Sequence, residues 1–164
     1  MNVAIVGATG YGGIQAVNLL KNNKNYKISF LGGNKTSGSK WNDNFPFIYL
    51  DDDPYIEDIS IENISNKADI ALLCLPNGIS STLTRKLLDK GIKVIDLSAD
   101  YRYKSLDEWK KIYSKEAAIY KRNDDDLCKE AVYGIPELNK EAIANARLIA
   151  CPGCYPTSAL IPLA

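Results

Sequence analysis

A run of glycines between a short apolar segment and an amphipathic one constrains the fold most. The apolar residues from Asn2 to Val6 lead into Gly7-Ala-Thr-Gly-Tyr-Gly-Gly13, and residues 14–20 then carry apolar side chains at helical spacing. This order predicts a strand, a glycine turn and a helix. Lys27 to Leu31 predicts a second strand. Because parallel strands need a crossover helix between them, the chain opens as a β-α-β unit.

The same alternation continues along the chain. Residues 69–75 are apolar after Asp69, which is typical of a central strand buried on both faces. A helix over 79–90 and a strand over 92–96 follow, and Ser105 with Glu108 forms a capping box that predicts a short helix. Two further strands, 131–133 and 147–150, flank a helix over 139–146. We therefore predict an α/β, doubly wound, Rossmann-type NAD(P)-binding domain with a mostly parallel sheet over residues 1–150.

Two stretches carry no comparable pattern. Residues 32–47 are rich in Gly, Ser, Lys and Asn, and we predict loops with short strands there. The three aspartates at 124–126 lack the spacing of a calcium loop, so we interpret them as a solvated loop. Pro156 to Ala164 begins another helix, and the chain stops before that helix is capped. We expect residues 151–164 to be the start of a truncated catalytic domain.

Charge and composition exclude several classes of function. Twenty Lys and Arg balance twenty Asp and Glu, so no strong field favours nucleic acid or a membrane surface as a partner. The longest apolar run, Ile70 to Leu75, is far below the ~20 residues of a membrane helix. We therefore expect a cytoplasmic protein with four free thiols. The chain has no histidine, which removes the commonest general base and the commonest metal ligand, and we predict no metal site.

The glycine turn predicts a dinucleotide site. Glycines at 7, 10 and 13 lie between strand and helix, where a backbone without Cβ atoms can approach a pyrophosphate held by the helix N-terminus. The alternative is a turn that only lets the helix pack closely on the strand. An NAD site would place a carboxylate near the end of the second strand, but the first acidic residue is Asp43. Asn34, Lys35 and Ser37 can instead hold a 2′-phosphate, so we predict NADP.

Cys151-Pro-Gly-Cys154 has C-x-x-C spacing, and three interpretations compete. A zinc site would need more ligands, and a thioredoxin-like dithiol would lie near the first strand. The third interpretation makes Cys154 a nucleophile, because its sulfur would lie at a helix N-terminus that favours thiolate and can stabilise an oxyanion. Cys151 and Cys74 fit a structural role within or beside buried strands.

Five motifs together resemble the N-acetyl-gamma-glutamyl-phosphate reductase family. They are the glycine run at 7–13, Ala71-Leu-Leu-Cys-Leu-Pro-Asn-Gly78, Val94-Ile-Asp-Leu-Ser-Ala-Asp-Tyr-Arg102, Tyr133-Gly-Ile-Pro-Glu-Leu138 and Pro152-Gly-Cys-Tyr-Pro-Thr157. The first is shared by many reductases, and the other four in combination are specific to this family among the semialdehyde dehydrogenases. The resemblance spans nearly the whole chain.

The resemblance implies a reaction and a set of site residues. Cys154 would attack an acyl phosphate, release phosphate as a thioester forms, and hydride from NADPH would then release N-acetyl-glutamate semialdehyde, a step of arginine biosynthesis. The cofactor would lie against Gly7, Thr9, Gly10, Tyr11 and Gly12, with Pro76 on the nicotinamide side. The substrate loops would include Ser98, Arg102 and Glu137. The full-length protein would be a homo-oligomer.

The sequence departs from the family pattern at two points. Asn77 stands where family members usually have His, so an acid or base role there is lost. The family's catalytic His and its α+β domain would lie beyond Ala164, so we expect NADPH binding with little turnover from these residues. Three alternatives stay open: an aspartate-semialdehyde dehydrogenase, a reductase of a carrier-linked aminoadipyl phosphate, and a noncatalytic NADP-binding sensor.

Overall fold

The computed structural model describes all residues from Met1 to Ala164. They form six strands and nine helices. The strands are β1 (Asn2–Val6), β2 (Lys27–Gly32), β3 (Ile70–Leu73), β4 (Lys93–Asp96), β5 (Val132–Tyr133) and β6 (Leu148–Ala150). The helices are α1 (Tyr11–Leu20), α2 (Trp41–Asn44), α3 (Ile61–Lys67), α4 (Ser80–Asp89), α5 (Leu106–Ile112), α6 (Ser114–Ile119), α7 (Asp125–Glu130), α8 (Pro136–Asn145) and α9 (Cys154–Leu163).

The six strands form one sheet in the order β2-β1-β3-β4-β6-β5, and every pair is parallel. The doubly wound α/β fold is thus confirmed. The chain first steps outward from β1 to β2 and then returns to β3 on the other side of β1. The sheet therefore has its topological switch point between β1 and β3, and in open sheets of this kind ligands bind outside the carboxyl ends of the strands at that point.

Alternate residues of each strand enter two separate cores. Val3 and Ile5 of β1 face a core that includes Val17 of α1 and Trp41 of α2. On the opposite face, side chains of β1 pack with α3, α4, α5 and α7, whose buried residues include Trp109. The period of two along a strand explains this division, because successive side chains point to opposite faces.

The largest concavity is an apolar groove on the α1 face of the sheet. It has a volume of about 920 Å³ and lies between α1 and α8, over Leu72, Ile95 and Leu97. The one charged side chain in its lining is Lys93, which donates to the carbonyls of Ile143 and Ala144 at 3.2 Å each. A dinucleotide needs convergent polar donors, which this lining does not offer, so the groove is not the candidate cofactor site.

Three local predictions are corrected by the structure. The aspartate run is not a solvated loop, since Asp124 is buried and Asp125 begins α7. The region of predicted loops contains α2, and farther on Ser60 caps α3 by accepting from the N–H of Asn63 at 3.1 Å. The last helix begins at Cys154, two residues before Pro156.

Other predictions hold with small shifts. The helix after Ser105 is confirmed, although the Ser105 hydroxyl accepts the Glu108 N–H at a long 3.4 Å and the return bond of a full capping box is absent. The helix predicted over 139–146 begins earlier, at Pro136, and is kinked at Asn139. No helix of the chain combines the length and the apolarity that crossing a bilayer requires.

Candidate functional site

The glycine turn lies at the carboxyl end of β1, beside the switch point of the sheet. The N–H groups of Gly7 and Ala8 donate to the carbonyl of Gly32 at 3.0 and 2.9 Å, which ties the turn to the end of β2. Four further N–H groups find no acceptor in the protein; they belong to Thr9, Tyr11, Gly12 and Gly13. Free donors at the start of a ten-residue helix form a site for an anion such as a phosphate.

The glycines of the turn divide into two pairs. A Cβ at Gly7, whose φ is +84°, would lie 2.4 Å from the carbonyl oxygen of Cys74, and one at Gly13 would lie 2.2 Å from the Gly7 oxygen. The fold itself needs these two glycines. A Cβ at Gly10 or Gly12 would meet nothing closer than 3.5 Å. Packing does not require this second pair, and their bare backbone beside free N–H groups fits the close approach of a dinucleotide pyrophosphate.

The predicted 2′-phosphate residues lie in the loop after β2. Asn34 and Lys35 are exposed, and Ser37 is half-buried. The neighbouring Thr36 hydroxyl is buried without a hydrogen-bond partner. Its oxygen lies 2.9 Å from the place a Cβ on residue 33 would take, and that place is 3.2 Å from Thr9, so this loop and the glycine turn adjoin.

One carboxylate lies near this loop in space, although it is distant from the loop in sequence. Glu57 pairs with Gly32 through an isolated parallel bridge, which brings it beside the end of β2. Its Oε1 atom accepts a hydrogen bond from the Nζ of Lys67 at 2.7 Å, so the two side chains form an ion pair. The acidic group is therefore already neutralised within the protein.

The loop after β3 forms the other side of the switch point. Pro76 is exposed, and Asn77 is half-buried. The Asn77 carboxamide oxygen accepts the N–H of Ala99 at 2.9 Å, and its Nδ2 donates no hydrogen bond within the protein. The loop after β3 is thereby joined to the loop after β4, and one amide donor is left free for a ligand.

Cys154 is the first residue of α9, immediately after the helix-capping Gly153. Its side chain is exposed, and the N–H groups of Cys154 and Tyr155 have no acceptor in the protein. Since β6 is parallel to β1, the thiol lies at the same edge of the sheet as the glycine turn. The predicted position of the sulfur at a helix N-terminus is confirmed, and it is not buried in packing.

A cavity of about 460 Å³ opens beside Cys154. Its lining combines one cation with aromatic rings: Arg102, Tyr103, Tyr113, Tyr133, Gly153, Cys154, Tyr155 and Pro156. Two of these tyrosines, Tyr103 and Tyr113, lie outside the motifs of the resemblance and come from separate segments of the chain. Tyr133 and Tyr155 each belong to a motif of the resemblance, and those motifs are the signal in the sequence that points to them.

Arg102 connects this cavity to the sheet. Its Nε donates to the carbonyl of Cys151 at 2.7 Å, and its Nη2 donates to the carbonyl of Leu97 at 2.8 Å. The third nitrogen, Nη1, makes no hydrogen bond and lies 3.1 Å from the place a Cβ on Gly153 would take. The guanidinium thus holds the loops after β4 and β6 together and leaves one charged donor free.

The other two predicted substrate residues lie elsewhere. Ser98 is buried, and its hydroxyl donates to Asp96 at 2.7 Å while accepting the N–H of Asp100 at 3.1 Å. Glu137 is exposed in the first turn of α8 and does not line the cavity. Of the three residues, the structure places only Arg102 beside the thiol.

The remaining cysteines differ from Cys154 in their surroundings. Burial raises the pKa of Cys74 to about 12 and the pKa values of Cys128 and Cys151 to about 11. At neutral pH these thiols are almost wholly protonated, and protonated thiols are poor nucleophiles. Cys151 also lines the apolar groove and Cys154 the polar cavity, so the two side chains of the C-x-x-C motif open onto different spaces.

Comparison with known proteins agrees with this arrangement. The N-acetyl-gamma-glutamyl-phosphate reductase of Prochlorococcus marinus strain MIT 9301 is 90% identical over the whole chain, and that of strain SARG is 56% identical over 99% of it. The chain spans 47% and 45% of those relatives. Aspartate semialdehyde dehydrogenase II from Vibrio cholerae, complexed with ASA, superposes with a TM-score of 0.67 at 23% identity, covering 99% of this chain and 44% of that one.

A second solved structure has the same fold. Aspartate semialdehyde dehydrogenase with NADP from Candida albicans superposes with a TM-score of 0.68 at 16% identity, covering 99% of this chain and 45% of that one. At these identities the likeness concerns the fold alone. The family model described as semialdehyde dehydrogenase, NAD binding domain, matches residues 2–146, which include the glycine turn and all but the last strand. The chain therefore belongs to the semialdehyde dehydrogenase NAD-binding domain family.

Proposed function

We propose that this chain carries the cofactor site and the nucleophile of an NADPH-dependent acyl-phosphate reductase. The reaction is reduction of N-acetyl-L-glutamyl 5-phosphate to the 5-semialdehyde and phosphate, as the names of the 90% and 56% identical relatives suggest. The observation that carries the proposal is the exposed thiol of Cys154 at a helix start, on the sheet edge that also holds the glycine turn. Both reacting partners can meet along that edge.

The cofactor would be held mainly by backbone donors. The free N–H groups of the glycine turn would bind the pyrophosphate, and the bare backbone at Gly10 and Gly12 would let it approach. The 2′-phosphate of NADP would lie against Asn34, Lys35 and Ser37. The unpartnered Thr36 hydroxyl and the neutralisation of Glu57 by Lys67 favour a phosphate there over the ribose diol of NAD.

The nucleophilic step follows from the position of Cys154. Its thiolate would attack the acyl carbon, and the N–H groups at the start of α9 would stabilise the oxyanion that forms. Collapse of this tetrahedral species would break the carbon–oxygen bond to phosphate and leave a thioester on Cys154. Bound NADPH supplies the hydride that reduces the acyl group. The semialdehyde then leaves, and Cys154 regains its thiolate.

The cavity wall would position the substrate. The free Nη1 of Arg102 is the one guanidinium or ammonium donor in the lining of the Cys154 cavity, and it suits an anionic group of an acyl phosphate. The chain has no histidine, so it lacks the commonest general base for proton transfer to or from the substrate. We therefore expect the 164 residues to bind cofactor and to react at Cys154 without sustained turnover.

Mass-mapped alkylation with iodoacetamide at pH 7 tests the nucleophile. Cys154 is expected to be labelled at least tenfold faster than Cys74, Cys128 or Cys151, whose thiols are held protonated by burial. Cys154→Ser is the matched variant and should remove the fast phase. Uniformly slow labelling of all four cysteines would contradict the enzyme and favour a noncatalytic NADP-binding sensor.

Cofactor choice is tested separately with dissociation constants. NADPH should bind the chain more tightly than NADH, and Lys35→Ala should narrow that difference by weakening NADPH alone. Lys24→Ala, at another exposed lysine, serves as the control. Tighter binding of NADH by the unchanged chain would contradict the assignment of NADP.

A further inference from the structure

A cluster of buried charged and aromatic side chains lies behind the loop after β3. The guanidinium of Arg122 donates through Nε and Nη2 to the two carboxylate oxygens of Asp124, each at 3.0 Å, and through Nη1 to the carbonyl of Asp100 at 2.7 Å. Tyr101 donates its hydroxyl to Asp124 at 2.7 Å. The guanidinium also lies 4.4 Å from the ring centre of Trp109. All three nitrogens of the Arg122 guanidinium therefore donate hydrogen bonds inside the protein.

The cluster reaches the loop after β3 through Asp100. The two oxygens of this carboxylate accept the N–H groups of Gly78 at 2.7 Å and of Ser81 at 2.9 Å. Asp100 thus caps the start of α4 from a different strand end. The side chain is fully buried, and Arg122 lies 3.9 Å from it as the nearest cation. Burial raises the pKa of Asp100, while the two N–H groups and Arg122 oppose that rise.

The segment that carries Arg122 also presses on the loop directly. Gly78 has a φ of +83°, and a Cβ there would lie 2.1 Å from the ring of Tyr120. The loop is consequently held by Tyr120 on one side and by Asp100 on the other. Asn77, between Pro76 and Gly78, adds a third tie through its bond from Ala99. These contacts hold the loop at three points.

Stability alone is a poor account of such a cluster. Replacing a buried ion pair by apolar side chains is often neutral or stabilising, because desolvation offsets the attraction. What the charges provide here is direction, since a bidentate guanidinium and a twice-bonded carboxylate accept only one geometry. The element whose geometry they determine is the loop that forms one wall of the crevice at the switch point.

We propose that Asp100 and Arg122 are positioning residues that hold the Pro76–Gly78 loop against the nicotinamide half of the cofactor. The inference rests on the proposed function, because it takes NADP as the ligand of the crevice. A dinucleotide anchored at the glycine turn and extending to Cys154 must cross the carboxyl ends of β3 and β4, which lie between β1 and β6. The adenosine half, at the end of β2, lies away from this loop.

Binding of two ligands to the 164-residue chain tests the proposal. NADPH carries both halves of the cofactor, and 2′,5′-ADP carries only the adenosine half with its phosphates. Asp100→Asn keeps the shape of the side chain but can accept only one of the two N–H groups. We expect it to weaken NADPH about tenfold, the effect of one lost hydrogen bond to a charged group. Binding of 2′,5′-ADP should change less than about twofold, within the effect of a remote substitution.

Two further variants complete the experiment. Asp107→Asn makes the same substitution on the exposed side of α5 and should leave both dissociation constants unchanged. Arg122→Lys retains the charge but cannot make the bidentate pair with Asp124, so it should weaken NADPH selectively and less than Asp100→Asn does. If Asp100→Asn shows no cooperative unfolding transition and is therefore not folded, Arg122→Lys provides the measurement instead.

The possible outcomes separate the inference from the proposed function. Selective loss of NADPH affinity, together with altered emission of bound NADPH, supports the inference. Equal weakening of both ligands, or no weakening of either, overturns it while NADP binding by the unchanged chain stands. Failure of the unchanged chain to bind either ligand overturns the proposed function and the inference with it.

Discussion

The glycine turn after β1 and the loops after β4 and β6 lie on one edge of the sheet, but they are built from different parts of the chain. The turn is made of backbone: its donors are N–H groups, and its shape depends on glycines packed against a neighbouring carbonyl. The region around the loops after β4 and β6 is instead held by side chains. Arg102, Asp100 and Arg122 make hydrogen bonds to backbone groups of the loops at this edge. The donors of the first region come from one short segment, and the second region is assembled by side chains from several segments.

The largest expected effect falls on the side-chain end. Arg122→Met should lower the free energy of unfolding by about 4 kcal/mol, because it leaves the buried carboxylates of Asp100 and Asp124 without their cation. Arg85→Met is the matched control, since its ion pair with Asp126 is exposed and contributes about 1 kcal/mol or less. Urea unfolding of both variants measures the difference. Equal losses would show that the buried cluster is no more important than a surface pair.

Substitutions in the glycine turn should lower the free energy of unfolding by less, and they should do so through steric collision. Gly7→Ala should lower the free energy of unfolding by about 3 kcal/mol, because a positive φ is combined with a collision at the carbonyl of Cys74. Gly91→Ala has a similar φ, +79°, with nothing within 4 Å, so it should lose only about 1 kcal/mol. Urea denaturation separates the two contributions. If both variants lose a similar free energy of unfolding, the collision with the Cys74 carbonyl does not contribute to the effect.

The side-chain region should also make the stability of the protein depend on pH. Burial raises the pKa of Asp96, at the end of β4, from 3.8 to about 6. The unfolded chain therefore loses this proton at lower pH than the folded chain, and the contribution of Asp96 to stability falls as pH rises from 4 to 6, by about 2 kcal/mol. Asp96→Asn should remove that fall. The free energies of unfolding of both proteins are measured across this pH range. If they change in parallel, the prediction is wrong.

The smallest effect on stability is expected at Gly12. A Cβ there would meet Leu97 at an ordinary 3.6 Å, so Gly12→Ala should change the free energy of unfolding by no more than about 0.5 kcal/mol. The added methyl group would instead occupy the approach of the pyrophosphate, and NADPH should bind at least about tenfold more weakly. Calorimetric titration measures the affinity. Unchanged affinity would assign this glycine to the fold alone.

The same contrast explains what the sequence could predict. Strands β1 to β4, α1, α4 and the glycine turn follow from apolar periodicity and glycine placement within short windows. The position of Cys154 at a helix start also follows locally, from the strand before it and the Pro156 after it. These features depend on neighbours in sequence.

The sequence could not predict which polar side chains would be buried and satisfied by specific hydrogen bonds. The aspartates at 124–126 look solvated, but Asp124 is buried because Arg122 and Tyr101 satisfy its carboxylate. Ser98 stays a predicted substrate residue, and its hydroxyl is engaged by Asp96 and Asp100 within the protein. No periodicity reports such pairings. Tyr103 and Tyr113 could not be placed beside Cys154 from the sequence, because they come from separate segments.

Arg102 joins the loops after β4 and β6 to each other. One planar guanidinium grips the Leu97 and Cys151 carbonyls, residues that are 54 positions apart but adjacent in space. An anion bound at the free Nη1 would contact a group that is already bonded to the ends of both strands. Occupancy of the cavity would thereby stiffen the mouth of the crevice, so a filled site would exchange its amide protons more slowly than a vacant one.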